Sequence, residues 1–94
     1  MSNPLYPFGT HPDEQWISGK QLRLARHALG FSYPEASFKT GSSKGTLMRL
    51  ESGTSRPSHN LIQQIIESYI LLGVTFVRDG DQEGITYDAS EADA

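Results

Sequence analysis

Residues 32–53, with the sequence SYPEASFKTGSSKGTLMRLESG, decide the fold that we predict for this chain. Gly41, near the middle of the stretch, can take the positive φ that a sharp turn between two helices requires. Ser32 can cap a helix, because Glu35 follows three residues later and completes a capping box. We therefore expect one short helix that ends at about residue 39 or 40 and a second helix shortly after Gly41.

The second helix of this pair has one apolar face and one polar face. Ser42 or Ser43 can cap it, and we expect it to end near Glu51. Leu47 and Leu50 lie on its inner face at helical spacing. The residues towards the other face are Lys44, Thr46 and Arg49. Two short helices joined at a glycine, inside a run of four, are typical of a helix-turn-helix.

Two further helices flank this pair. Ser18 and Gln21 form a capping box for a first helix, and Gly30 suits its C-terminal end. Ser58 can cap a fourth helix, and Gly73 can end it. The apolar residues of the fourth helix form a broad stripe, made of Leu61, Ile62, Ile65, Ile66, Tyr69, Ile70 and Leu72. The sequence therefore predicts four helices.

After the fourth helix the apolar residues alternate along the chain, with the period of a β-strand. We predict two short strands, over residues 74–77 and 84–87, around an Asp-Gly turn at Asp79 and Gly80. This pattern predicts a C-terminal β-hairpin.

The two ends of the chain differ from the middle in composition. The first segment contains three prolines and little apolar periodicity, which favours a flexible arm. The last segment is acidic and rich in small residues, which favours disorder. The predicted organisation is an arm (1–15), a helical domain (16–73), a hairpin (74–87) and a tail (88–94).

Length and composition exclude several classes of protein. At 94 residues the chain is one small domain, and it contains no cysteine, so disulfides, thiolate zinc sites and cysteine nucleophiles are absent. No apolar run approaches the ~20 residues needed to cross a membrane, so we expect a cytoplasmic protein. The three histidines lack the spacing of metal ligands, and no catalytic pattern is visible. We expect no metal, no cofactor and no enzymatic activity.

The charge is unevenly distributed along the chain. The net charge is −3, but residues 17–60 contain seven basic and two acidic residues. Residues 61–94 contain one basic and seven acidic residues, and residues 1–16 contain two acidic ones. An electrostatic footprint is local, so a basic surface on the helical domain is compatible with an acidic protein.

Within residues 17–73 the sequence resembles the phage-repressor-like helix-turn-helix proteins, the XRE or Cro-type family. The most specific segment is Thr46-Leu47-x-x-Leu50-Glu51-x-Gly53 followed by Arg56-Pro57. Other matching residues are Leu22-Arg23, Arg26, Leu29-Gly30-Phe31-Ser32, Gly41-Ser42-Ser43 and Ser58. The resemblance implies a mostly α fold, a four-helix domain like that of the lambda repressor, followed here by the β-hairpin.

The chain departs from the family pattern at four positions. Tyr33 stands where the family usually has Gln, and Gly45 stands where it offers a side chain to a base. Ala36 and Ser42 are small where the family has large aliphatic residues, which leaves the inner face underfilled.

The resemblance implies roles for individual residues. Those expected to contact bases are Ser43, Lys44, Thr46 and Arg49. Those expected to contact the DNA backbone are Tyr33, Lys39, Ser55 and Arg56. Arg26 and Glu51 occupy the positions of an internal salt bridge between the first helix and the end of the third. For Lys44 and Arg49, guanine edges and phosphates both remain possible partners.

We therefore expect a sequence-specific DNA-binding transcriptional regulator, a repressor or autoregulator, that binds a palindromic operator of the nucleoid as a homodimer. A lone hairpin is marginally stable and exposes unpaired edges, so pairing two copies would bury surplus apolar surface. The residues expected at the dimer interface are Ile66, Tyr69, Ile70, Val74, Phe76, Ile85 and Tyr87.

An alternative is a protein-interaction module that keeps this fold and binds another regulatory protein, as an antiactivator or antitoxin does. The net negative charge, Gly45 in the recognition helix and the acidic last third of the chain favour this alternative.

Overall fold

A computed structural model describes residues 4–7, 16–54, 58–80 and 82–89 of the chain. The elements in these ranges are β1 (Pro4–Pro7), β2 (Trp16–Ser18), α1 (Gly19–Ala28), α2 (Tyr33–Thr40), α3 (Lys44–Ser52), α4 (His59–Leu71), β3 (Val74–Asp79) and β4 (Gln82–Tyr87). The predicted fold class, mostly α with a C-terminal hairpin, is confirmed. None of the helices in the described ranges has the length and apolar content needed to span a membrane.

Each helix begins after a serine whose hydroxyl accepts a backbone N–H of the first turn. These serines are Ser18, Ser32, Ser43 and Ser58. Complete capping boxes form with Gln21 at α1 and with Glu35 at α2, as predicted. Ser43 rather than Ser42 caps α3. Ser42 is buried instead, and its hydroxyl has no hydrogen-bonding partner among the described residues.

A tight turn joins α2 to α3. Gly41 has the predicted left-handed conformation, with φ at 77°, and its N–H donates to the carbonyl of Ser37 at 2.9 Å. The side chain of Gln64 on α4 also approaches here, because its Nε2 donates to the carbonyl of Thr40 at 2.6 Å. The positive φ makes glycine the favoured residue at this turn, and an added Cβ would also lie 2.7 Å from that Nε2 and displace the amide of Gln64.

The core is shared by all four helices and both sheets. Its buried apolar residues are Ile17, Leu22, Ala25, Ala36, Leu47, Leu50, Ile62, Ile65, Ile66, Tyr69 and Val74. The N-terminus of α1 touches the C-terminus of α3, and Gly19 makes this approach possible. An added Cβ at Gly19 would overlap the carbonyl oxygen of Leu50 and lie 2.6 Å from that of Glu51.

The C-terminal hairpin is longer than the sequence analysis predicted. Its antiparallel register continues from the pair of Val74 and Tyr87 to the pair of Asp79 and Gln82. The turn begins at Gly80, with φ at 62°. Arg78 and Glu83, predicted to belong to the turn, instead lie opposite each other in the strands and form a cross-strand ion pair.

The hairpin packs on its own helical domain, with β4 against α1 and β3 against α4. Nε2 of Gln21 donates to the carbonyl of Val77 at 2.8 Å and to that of Gly84 at 3.0 Å. The hydroxyl of Ser18 donates to Oε1 of Glu83 at 2.9 Å. The capping residues of α1 thus hold the hairpin in place.

The predicted flexible arm and disordered tail both need correction where the structure describes them. Pro4–Pro7 forms a strand that pairs antiparallel with Trp16–Ser18. Proline lacks an N–H, but it is tolerated in a two-stranded sheet because both strands are edges. The N–H of Asp88 donates to the carbonyl of Gly73 at 2.9 Å, so the first tail residue is hydrogen-bonded. The rest of the arm and residues 90–94 lie outside the described residues.

Candidate nucleic-acid interface

The exposed face of α3 lies opposite the residues that it buries. Leu47, Leu50 and Glu51 are buried against the rest of the molecule. With 3.6 residues per turn, or about 100° per residue, the opposite direction is centred on Gly45 and Arg49. The helix therefore presents a glycine and an arginine at the centre of its exposed face.

The guanidinium of Arg49 lies along this face. An added Cβ at Gly45 would be 3.3 Å from Nη1 of Arg49, so the guanidinium lies over the glycine. Nη2 of Arg49 donates a long hydrogen bond of 3.4 Å to Oγ1 of Thr46. Arg49 is exposed.

The hydroxyls of Ser43 and Thr46, both predicted to contact bases, bind each other. Oγ of Ser43 accepts the N–H of Thr46 at 3.1 Å and donates to Oγ1 of Thr46 at 2.8 Å. Ser43 is therefore the helix cap, and Thr46 connects this cap to Arg49.

Two predicted lysines flank the turn that joins α2 to α3. Lys44 is exposed at the first residue of α3, and Lys39 is exposed in the last turn of α2. An exposed ammonium on a flexible stem can bind a phosphate as a point charge. The other predicted backbone contacts, Ser55 and Arg56, lie outside the described residues.

The predicted ion pair between Arg26 and Glu51 is present. Nε of Arg26 is 2.7 Å from Oε2 of Glu51, and Nη2 is 3.0 Å from Oε1, with both side chains buried. Nη1 of Arg26 donates to the carbonyl of Phe31 at 3.0 Å. The hydrogen bonding to Glu51 raises the pKa of Arg26, although burial opposes this effect. The pair holds the end of α3 against α1.

Tyr33, predicted to contact a phosphate, belongs to the same cluster. Its hydroxyl donates to Oε1 of Glu51 at 2.9 Å, and the guanidinium of Arg26 lies 4.0 Å from the centre of its ring. Burial, together with the hydrogen bond to Glu51, raises the pKa of Tyr33. The structure thus gives Tyr33 an internal role, which the sequence does not reveal because it depends on how α2 packs on Arg26.

The predicted dimer interface needs correction. Ile66, Tyr69 and Val74 lie in the chain's own core, so they cannot contact a partner. Phe76 and Ile85 are partly buried against the same core. The apolar stripe of α4 is broad because several elements of the same chain, including β3, pack on it. The exposed members of the predicted set are Ile70 and Tyr87, at 46% and 39%.

Two large apolar side chains that the sequence analysis did not single out are strongly exposed. Phe38 on α2 is 83% exposed, and Leu71 at the end of α4 is 78% exposed. Helical spacing could have indicated Phe38, since it lies about 200° from Ala36, which is fully buried.

No protein-family model and no curated protein sequence matches this chain. Its resemblance to the XRE-type family therefore stays a prediction. No group of three histidines, cysteines, aspartates or glutamates that could hold a metal ion occurs among the described residues.

Proposed function

We propose that this protein is a sequence-specific DNA-binding transcriptional regulator that inserts α3 into the major groove. The observation that carries the proposal is the exposed guanidinium of Arg49 at the centre of α3, on the second helix of a pair joined by three residues. The basic charge of residues 17–60 supports it.

In the proposed mechanism, different residues contact the bases, contact the phosphates and orient α3. Arg49 faces the base edges, while Lys44 and Lys39, at the turn between α2 and α3, neutralise phosphates. The ion pair between Arg26 and Glu51 fixes the direction of α3 relative to α1. Bound at an operator in the cytoplasm, the protein would act as a repressor or autoregulator by excluding polymerase.

We also propose that the protein acts as a homodimer. Leu71 and Ile70 expose apolar surface at the end of α4, and Tyr87 exposes more at the end of β4. Two copies related by a two-fold axis would bury these side chains and present two copies of α3 to successive major grooves, ~34 Å apart. This interface replaces the one that the sequence analysis predicted.

Mobility-shift titration tests the function, with duplex DNA from the protein's own promoter region, an unrelated duplex and two salt concentrations. We expect tighter binding to the promoter duplex and weaker binding at higher salt. Each phosphate contact contributes about −0.9 to the slope of log affinity against log salt concentration.

Variants of α3 sharpen the test. Arg49→Ala should weaken promoter binding by about 1–3 kcal/mol, because it loses a base contact. Lys44→Ala should reduce the slope of log affinity against log salt concentration by about 0.9, because it loses a phosphate contact. Neither variant should change the melting temperature. Lys20→Ala is the matched control, because it removes an exposed positive charge from α1 instead. Normal promoter binding by both α3 variants would contradict the proposed interface.

The second candidate function is a protein-interaction module, favoured by the exposure of Phe38 and by the acidic residues 61–94. An exposed aromatic side chain suits a protein partner better than a DNA backbone. If no duplex is bound at low salt, this candidate replaces the first.

A further inference from the structure

Gly45 is an unexpected residue on the helix that we propose binds DNA. Glycine destabilises the interior of a helix relative to alanine, and here it occupies the exposed face where a side chain could contact DNA. Its φ is not in the left-handed region, so the backbone does not require glycine at this position. The feature that distinguishes this position is the side chain that lies above it.

The guanidinium of Arg49 fills that space. A Cβ at Gly45 would be 3.3 Å from Nη1 of Arg49, which is closer than most such contacts, so a Cβ there requires a shift of a few tenths of an ångström and a larger side chain a larger shift of the guanidinium. On its other side the guanidinium is joined through Nη2 to Thr46, whose hydroxyl is held in turn by Ser43. The guanidinium of Arg49 thus lies between the bare backbone of Gly45 and the hydroxyl of Thr46.

We infer that Arg49 is the residue of α3 that reads base identity, that it reads guanine, and that Gly45 keeps the helix surface clear for it. This inference rests on the proposed function. A guanidinium can donate two parallel hydrogen bonds to O6 and N7 of guanine, which no other base offers together in the major groove. Ser43 caps the helix and Thr46 positions the arginine. Lys44, at the N-terminus of α3, binds a phosphate.

Selection of binding sites from randomised duplex DNA tests the inference. The parent protein should enrich a guanine at one fixed position of its site, or of each half-site. Replacing that G·C pair with A·T should weaken its binding by about 10- to 100-fold. Arg49→Lys keeps the charge but loses the paired donors, so it should bind the two duplexes within about threefold of each other.

Substitution of Gly45 tests whether the space above this residue, and not only the positive charge of Arg49, is needed for the preference for guanine. Gly45→Leu should also lose the preference for guanine, although Arg49 is intact and the melting temperature is equal to or above that of the parent. Gly45→Ala, which displaces the guanidinium by less, should retain part of the preference. Met48→Leu is the control, since it exchanges one exposed apolar side chain of α3 for another and should retain the full preference.

The outcomes are distinguishable. If the parent selects a site but Arg49→Lys or Gly45→Leu still distinguishes guanine as the parent does, the inference is wrong and the proposed function stands. If the parent selects a site that does not require a guanine, the inference is likewise wrong and the proposed function stands. If the parent binds no duplex in a salt-dependent way, the proposed function fails and the inference fails with it.

Discussion

Arg26 and Glu51 join the first and third helices through two hydrogen bonds between buried, oppositely charged groups, at 2.7 and 3.0 Å. Glu51 also accepts the hydroxyl of Tyr33, so one carboxylate connects α1, α2 and α3. The orientation of α3 relative to α1 and α2 therefore depends on this carboxylate.

Removal of the carboxylate should be strongly destabilising. Glu51→Ala leaves the buried guanidinium of Arg26 without its partner, and we expect the free energy of unfolding to fall by about 3–5 kcal/mol. Urea denaturation measures this change. The double variant Arg26→Met, Glu51→Leu removes both charges and should be clearly more stable than Glu51→Ala. Equal stability of the two variants would show that the ion pair does not hold the helices.

The hydroxyl of Tyr69 should limit stability at alkaline pH. Burial raises the pKa of Tyr69 to about 12, from 10.0. Between these values the unfolded chain loses this proton first, so stability is fully present below pH 10 and is lost as pH rises towards 12. We expect a loss of about 3 kcal/mol, since the pKa rises by about two units and one pKa unit corresponds to about 1.4 kcal/mol. Tyr69→Phe should reduce this dependence, as urea denaturation at several pH values would show.

A comparison of Tyr69 with Tyr33 at neutral pH checks whether the hydroxyl of Tyr69 is buried without a hydrogen-bonding partner. The hydroxyl of Tyr69 has no hydrogen-bonding partner among the described residues, so Tyr69→Phe should be neutral or stabilising by up to about 1 kcal/mol. Tyr33→Phe loses the hydrogen bond to Glu51 and should cost about 1 kcal/mol. A clear loss of stability in Tyr69→Phe would mean that its hydroxyl is paired.

Two glycines within helices should respond in opposite directions to alanine. Gly19→Ala places a Cβ against the backbone carbonyls of Leu50 and Glu51, which cannot move independently of α3. We expect a loss of about 1–3 kcal/mol from this overpacking. Gly45→Ala meets only the end of a flexible side chain and should gain about 0.5–1 kcal/mol. Thermal denaturation of the two variants provides the comparison, and a change of the same sign in both would contradict it.

The proposed dimer interface predicts a specific effect of charge at the end of α4. Leu71→Asp should make the protein monomeric in light scattering over a range of concentrations, while its melting temperature at low concentration stays nearly unchanged, because Leu71 is exposed. Phe38→Asp is the matched control on α2 and should leave the oligomeric state unchanged. A dimeric Leu71→Asp variant would place the interface elsewhere.

The helix ends could be predicted from the sequence because the interactions that set them are local. Ser18, Ser32 and Ser58 cap helices through backbone groups three residues away, and Gly41 turns the chain by its own conformation. The candidate ion pair was predictable only through the family resemblance, since Arg26 and Glu51 lie 25 residues apart.

Long-range packing was not predictable in the same way. The periodicity of α4 marks Ile66 and Tyr69 as apolar, but it does not say whether a partner or the chain itself covers them. The pairing of Pro4–Pro7 with Trp16–Ser18 also has no local signal. Likewise, the placement of Arg49 over Gly45 depends on side-chain conformation, whereas the sequence shows only a glycine that weakens the helix.

The bond from Ser18 to Glu83 joins residues 65 positions apart in the chain, and Gln21 adds two more hydrogen bonds across a similar span. Detaching the hairpin would therefore remove hydrogen bonds from the residues that cap α1, and not merely free a terminal appendage. Units that share such bonds open together in native-state hydrogen exchange. The amides of α1 and of the hairpin should accordingly exchange as one cooperative unit, and β4 contributes to the stability of α1.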